Sequence, residues 1–452
     1  ELSQKNYHTI FIAASDNYAG YDRHGLYQLF KYFQETLKLD CAYLCTQERK
    51  YNHVDSYDIS AILPFYLVDP RKFDPSKGHK IEDLSLMLQQ NLDCLPQHNV
   101  IILGDRHDMG LSLVAQMIEE RGSKVIYYSM LNDIVTGICA YPAEYECENY
   151  KNGLNCVNCP KAYDELTRGA APGPYPGRVA HNHYMAFQHF FKRFAENITI
   201  CSASTYTHEL IKSTPHMANV RKMLIPLKVE KYDLTVDPAS ERKAILESIS
   251  EQCKRPIKRL CVWGVMNLDV PRKGLQFFLQ ALSRLSTHYM ADSKFRKYLS
   301  ETVFVVVGDS EQDYTQFLGP RYPYVVLFTG AVPPIVFGNW LAVADFHCCT
   351  TLADAGPRTV TEAFMMGCPV VSYDRCIAAD LVDEQTGVLV PTKDVDALAL
   401  GIKKLLMMSE DPRTTYAENC LDKYAEFYDD GKLKEAWIEA LGLASPRQRR
   451  NL

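Results

Sequence analysis

Cys349 to Asp374 reads CTTLADAGPRTVTEAFMMGCPVVSYD, and the fold follows from this stretch. A short apolar strand near Ala344–Cys348 leads into it. Gly356-Pro357 reads as a helix start, with Pro357 expected at the first helical position, where its missing N–H costs nothing. Thr359 to Met366 continues the helix, Gly367 stops it, and Pro369–Tyr373 is the next strand. Strand, helix and strand in that order are the unit of an open parallel sheet covered by helices.

The same stretch carries chemistry. The N–H groups at the helix start form an anion site, where the dipole adds about 0.3–1 kcal/mol per favourable charge. Asp354 sits in the loop just before the helix, and Glu362 lies eight positions later, on its second turn. A nucleotide sugar carries hydroxyls at both ends and a diphosphate between them. Carboxylates accept from hydroxyl pairs, and a helix start suits the diphosphate. The plain alternative is a loop aspartate and a glutamate that complements the helix dipole.

The alternation extends along the chain. In the first half, strands read near Thr9–Ala14, Cys41–Cys45, Ala61–Leu67, Asn99–Leu103, Lys124–Ser129 and Ile198–Ser202. Helices fall between them, as at Gly25–Leu37 and Leu111–Arg121. In the second half, strands read near Arg259–Trp263, Val303–Val307, Tyr324–Phe328, Ala344–Cys348, Pro369–Tyr373 and Gly387–Val390. The expected join lies near Pro226–Leu234, followed by a charged helix to about Arg255. This predicts an α/β chain of two Rossmann-like parallel-sheet domains, each of roughly 200 residues. Their expected extents are 1–228 and 229–425, with a C-terminal helix and tail over 426–452.

Bulk properties narrow the function. The 452 residues are 47% hydrophobic and 23% charged, and the net charge of −6 gives no reason to expect a nucleic-acid partner. No apolar run approaches the roughly 18 residues of a membrane helix. Thr9–Ala14 reads as a strand, not as the core of a signal peptide. The chain opens at Glu1 rather than Met, so a longer precursor stays open. Fifteen cysteines, an odd number, suit a reducing compartment and hence a cytoplasmic location. The dinucleotide fingerprint G-x-G-x-x-G is absent after the first strand, and so is the G-x-x-x-x-G-K-[ST] phosphate loop, which argues against an NAD enzyme or an ATPase.

Asp354, seven residues, Glu362, then Ala363 and Gly367-Cys-Pro-Val-Val371 resemble the hallmark of family 4 retaining glycosyltransferases. The usual form has Glu at both ends. The variant with Asp354, Pro357, Glu362 and Ala363 looks like the subgroup that builds bacterial polysaccharides such as colanic acid. The resemblance implies the GT-B fold, with the two domains facing each other across a cleft. It also implies that Asp354 touches the transferred sugar, that Glu362 touches the ribose, and that the helix start formed by Gly356, Pro357, Arg358 and Thr359 binds the donor. Gly264 to Gly274 is similar to the family's phosphate-binding turn. Lys273 looks like its lysine, while Asn267 stands near the place of the usual arginine and Arg272 is the candidate substitute. Phe328-Thr329-Gly330, followed by Pro333–Ala342, resembles the base-binding turn.

In the first half, Asp16 to Gly20 resembles the family's glycine-rich turn, with Gly20 as the donor-side residue. Asp105-Arg-His-Asp108 and Asn132-Asp133 follow strands at the sheet's C-terminal edge, where ligands bind. His107 and Asp133 are the candidates to face the reacting carbon, with loop capping as the alternative. Cys139, Cys147, Cys156 and Cys159 fall within 21 positions. Four thiolates there would close a structural zinc site in an insert over 139–159, and disulfides or free thiols are the alternatives. Tyr184, Phe187, Phe191 and Phe194 recur at helical spacing, which fits a core helix better than a membrane-docking face, so membrane contact is at most peripheral.

The expected activity is retaining transfer of a sugar from a UDP- or GDP-linked donor to a glycan hydroxyl. The resemblance implies that catalysis needs no metal or other cofactor. Two other readings are a non-catalytic sugar-nucleotide-binding module and a sugar-nucleotide epimerase.

Overall fold

The computed structural model describes residues 6–13, 22–45, 62–64, 97–104, 111–129, 133–136, 141–142, 146–151, 176–229, 237–288, 291–318 and 322–443. The chain forms two compact units, Glu1–Leu227 with Asp430–Leu452, and Lys228–Asp429. Gly20, His107, Asn132, Cys139, Cys156 and Cys159 lie outside the described residues.

The first unit holds β1 (Asn6–Ala13), α1 (Asp22–Glu35), β2 (Cys41–Cys45), β3 (Ile62–Pro64) and β4 (Gln97–Leu103). It continues with α2 (Leu111–Arg121), β5 (Lys124–Ser129), α3 (Asp133–Thr136), α4 (Pro176–Phe194), β6 (Ile198–Ser202), α5 (Thr205–Lys212) and β7 (Arg221–Leu224). The strands run parallel in the order β3-β2-β1-β4-β5-β6-β7. Tyr184, Phe187, Phe191 and Phe194 are all buried, and Phe191 meets Tyr127 of β5 edge-on at 5.9 Å. The aromatic stripe of α4 is therefore core. Strand β7 was not expected. It is the sheet's edge, its Arg221 and Leu224 are exposed, and it shows no alternation that would mark it in the sequence.

The C-terminal helix, Asp430–Ala440, belongs to this first unit. Its Trp437 is buried and meets Phe33 of α1 at 4.9 Å and Tyr128 of β5 at 5.8 Å. Aromatic burial of this kind contributes on the order of 2–3 kcal/mol per ring.

The second unit opens with α6 (Pro238–Cys253), capped by Asp237 and closed at Lys254 in the left-handed conformation. There follow β8 (Arg259–Asn267), α7 (Leu275–His288), α8 (Ser293–Ser300), β9 (Thr302–Asp309), β10 (Val325–Gly330) and α9 (Pro334–Val343). Then come β11 (Phe346–Cys349), α10 (Arg358–Met365), β12 (Val370–Tyr373), α11 (Ala378–Leu381), β13 (Gly387–Val390), α12 (Val395–Leu406) and α13 (Glu410–Phe427). The strands are parallel in the order β10-β9-β8-β11-β12-β13. Val303, Phe304, Val305 and Val306 are fully buried, as expected for a central strand covered on both faces.

The buried Asp345 carboxylate ties this unit together. It accepts two bonds from Arg242 of α6, at 2.9 and 3.0 Å, one from the Leu260 N–H at 2.7 Å, and one from Arg413 of α13. Helix α10 ends where Gly367 turns at φ 68°, so the glycine stops the helix as the sequence reading expects. Pro357 is the residue that caps α10, one position before the helix proper, and not its first helical residue. Its ψ of 111° keeps it extended, and it offers no capping side chain.

The strand order fixes where a ligand would sit. From β8 the chain proceeds outward to β9 and β10, then crosses back to β11 on the other side. The loops after β8 and β11 thus leave neighbouring strands in opposite directions, and the crevice between such loops is where open α/β sheets bind ligands.

Candidate functional site

The loops after β8 and β11 bring Arg272, Lys273 and Asp354 together. Pro271–Lys273 is a single 3-10 turn, and Gly274 leaves it at φ 76° to start α7. The Arg272 guanidinium donates to Asp354 Oδ2 at 2.8 Å, and the Lys273 ammonium donates to the same oxygen. Asp354 Oδ1 accepts from the Gly356 N–H at 3.3 Å. Lys273 is buried, and the side chains of Arg272 and Asp354 are largely so.

Burial works to raise the Asp354 carboxyl, but Lys273 and then Arg272 outweigh it and hold the group well below the usual carboxylate range. Burial pulls the Lys273 ammonium down, and the facing carboxylate opposes that shift.

The Asp354 loop is stitched in place from both sides. Arg272 accepts the Leu352 N–H on its carbonyl at 2.8 Å and donates to the Ala353 carbonyl at 3.2 Å. Arg375, after β12, donates to the Leu352 carbonyl at 3.2 Å. The loop then passes Gly356 and Pro357 into α10, so the positive end of that helix's dipole follows directly on the Asp354 loop.

Glu362 is buried on the second turn of α10, and Arg358 pairs with it at 3.4 Å across one turn. Thr359 is half-buried in the first turn. Asn267, at the exposed end of β8, turns its Oδ1 onto the Asp269 N–H at 2.7 Å, so it shapes its own loop. Arg272, beside Lys273, is the second cation on the Asp354 carboxylate. Thr329 and Gly330 end β10, half-buried, with the Thr329 hydroxyl donating to the Gly330 carbonyl at 2.9 Å.

In the first unit, Asp133 begins the four-residue helix α3 after β5. Cys147 is half-buried and forms no disulfide among the described residues. Among the described residues, no cluster of histidine, cysteine or acidic side chains is arranged to hold a metal ion. Among the same residues, no helix is long and apolar enough to cross a membrane.

Three features have no signal in the sequence: Arg375, the hydroxyl of Thr350, and the indole of Trp263. Arg375 and Thr350 bond the site's backbone and Trp263 bonds the Thr350 hydroxyl, each from a neighbouring strand or loop, and nothing in local spacing marks them.

Two parallel-sheet α/β units of this kind are the GT-B fold. Residues 258–408 match the family model described as Glycosyl transferases group 1. That stretch contains Arg272, Lys273, Asp354 and Glu362. No curated protein matches the chain.

Solved structures are similar over nearly the whole length. Anabaena Alr3699/HepE in complex with UDP-glucose superposes with a TM-score of 0.61 at 15% identity, covering 97% of this chain and 100% of that one. Sucrose-phosphate synthase from Thermosynechococcus elongatus gives 0.63 at 13% identity, covering 96% and 98%. An E. coli protein bound with UDP-2-fluoro glucose gives 0.58 at 11% identity, covering 97% and 100%. At these identities the likeness shows the fold alone.

Proposed function

We propose that this chain is a retaining glycosyltransferase of family 4, in the polysaccharide-building subgroup, with its nucleotide-diphosphate sugar bound by the second unit. One observation carries the reading: Arg272 and Lys273 converge on Asp354 at the mouth of a helix that holds Glu362 one turn further in. Cations, helix start and two carboxylates are the parts a pyrophosphate flanked by two polyols requires. The group 1 match over residues 258–408 and neighbours solved with UDP-glucose support the same reading.

In this reading Asp354 meets the transferred sugar and Glu362 the ribose. Lys273, Arg272 and the α10 N-terminus stabilise the departing diphosphate as its charge develops, and no divalent metal takes part. The acceptor is a glycan hydroxyl. It attacks from the face the diphosphate leaves, and its proton passes to the leaving phosphate oxygen. His107, Asp133 and Gly20 are assigned to the sugar and diphosphate from the first unit. Cys139, Cys147, Cys156 and Cys159 are assigned to a structural zinc, and metal analysis finding none ends that assignment. The free thiols fit a reducing, cytoplasmic setting.

Incubation with a panel of UDP- and GDP-sugars tests the activity. Nucleoside diphosphate released only when an acceptor glycan is present, and undiminished by a chelator, is the expected result. Binding without turnover points to a non-catalytic module. A new sugar nucleotide without acceptor points to an epimerase.

A further inference from the structure

Beneath the Arg272–Lys273 turn lies a buried hydroxyl, that of Thr350. Thr350 follows β11 and is fully buried. Its Oγ1 accepts the Trp263 indole N–H at 2.9 Å. It lies 3.1 Å from the Lys273 carbonyl and 2.9 Å from the Gly274 carbonyl, so its one proton is shared between them. Trp263 is itself buried on β8 and stacks on Phe278 of α7 at 6.2 Å, which fixes the indole.

The two backbones meet closely here. A Cβ on Gly274 would lie 2.2 Å from the Thr350 carbonyl oxygen. The hydroxyl therefore pins the carbonyl end of the phosphate turn to the root of the Asp354 loop. The Leu352 N–H pins Arg272 as well, through the 2.8 Å bond to its carbonyl.

We infer that Thr350, oriented by Trp263, is a positioning residue that sets the register between the Arg272–Lys273 turn and the Asp354 loop, and so tunes diphosphate binding without touching the ligand. The inference rests on the donor site proposed above. Misplacing a cation by 1 Å in such a site costs binding and rate far beyond the bond removed.

The test separates positioning from folding. Thr350→Val keeps the shape but orphans the Trp263 N–H, so it lowers stability as well as binding. Trp263→Phe alone leaves the Thr350 hydroxyl its two carbonyls but opens a cavity in the core, so it lowers melting temperature while keeping the bonds to the turn. The readouts are melting temperature and the affinities for inorganic pyrophosphate and for UDP or GDP. We expect Thr350→Val to weaken diphosphate binding about 10-fold, roughly 1.4 kcal/mol. Trp263→Phe should melt lower than the wild type and yet bind diphosphate more tightly than Thr350→Val does. Thr350→Ser, which keeps the hydroxyl, should bind as the wild type does.

Binding that follows melting temperature through all three variants makes Thr350 a structural residue and overturns the inference. Wild-type affinity in Thr350→Val overturns it as well. Wild-type protein that binds neither pyrophosphate nor a nucleoside diphosphate removes the donor site itself, and this inference with it.

Discussion

Arg272 meets Asp354 at 2.8 Å, on the same carboxylate oxygen that takes the Lys273 ammonium. Two cations on one buried oxygen hold the acid charged and hold themselves in place, so the corner is preorganised for an anion. In the proposed reading, a diphosphate entering the corner shares these cations with the carboxylate and does not have to gather them from solvent. Lys273→Ala should therefore lower kcat/KM for the sugar nucleotide by roughly 10- to 1,000-fold, about 1.4–4 kcal/mol. The fold should survive, because Arg272 still neutralises Asp354. The carboxyl's depressed pKa means its ion pair contributes stability above the ordinary carboxylate range, and that contribution is lost only as pH falls through the still lower folded value. Wild-type kinetics in Lys273→Ala would remove the lysine from the site.

Glu362 is expected to act on the sugar ring of the nucleoside, not on phosphate. Glu362→Ala should weaken nucleoside diphosphate binding by roughly 10- to 1,000-fold while leaving inorganic pyrophosphate binding nearly unchanged. The sharper readout is discrimination. Wild-type protein should prefer the ribonucleotide to its 2′,3′-dideoxy analogue, and the variant should bind the two alike. Equal preference in wild type and variant refutes the ribose assignment.

Gly274 cannot be replaced without moving the site. Its φ of 76° disfavours any side chain, and an added Cβ would overlap the Thr350 carbonyl. Backbone, unlike a flexible side chain tip, cannot swing aside. Gly274→Ala should cost on the order of 3 kcal/mol in stability and abolish diphosphate binding together. An alanine variant with an unchanged melting temperature would show that the two loops are not as tightly stacked as the Thr350 contact implies.

How far the sequence reaches is clear at this corner. The helix, Gly367 and the flanking strands were legible because Pro, Gly and apolar runs act locally. The places of Asp354 before the helix and of Glu362 on its second turn were legible because both belong to that one local unit. The partnership of Arg272 with Asp354 was not, because the direction of a long side chain depends on a loop 82 positions away. Thr350 and Trp263 were invisible for the same reason: their bond spans two strands that are neighbours only in the sheet. Strand β7 escaped because an edge strand with exposed Arg221 and Leu224 carries no buried face to betray it. Pro357 was placed one residue too far into its helix, a shift that the extended ψ of a capping residue decides and composition does not.

A buried histidine makes the protein's response to acid predictable. His347 on β11 is fully buried, donates through Nδ1 to the Val262 carbonyl at 2.9 Å, and faces the edge of Phe337. Among the described residues its Nε2 has no hydrogen-bond partner, so the ring is neutral. Burial pulls its pKa down to about 4, and burial does the same to His216 in the first unit. The sign follows from proton counting. Between about pH 4 and 6.5 the unfolded chain binds a proton at each histidine that the folded chain refuses. Stability therefore falls as pH drops through that window, by about 3 kcal/mol per histidine at 1.36 kcal/mol per pKa unit. Denaturant unfolding of the wild type and of His347→Gln, at pH 7 and pH 4.5, measures this. Glutamine keeps a donor for Val262 but has no proton to gain, so the variant should lose less stability on acidification. The same loss in both proteins would mean that His347 takes up its proton without unfolding, and that the ring is not sealed behind Phe337.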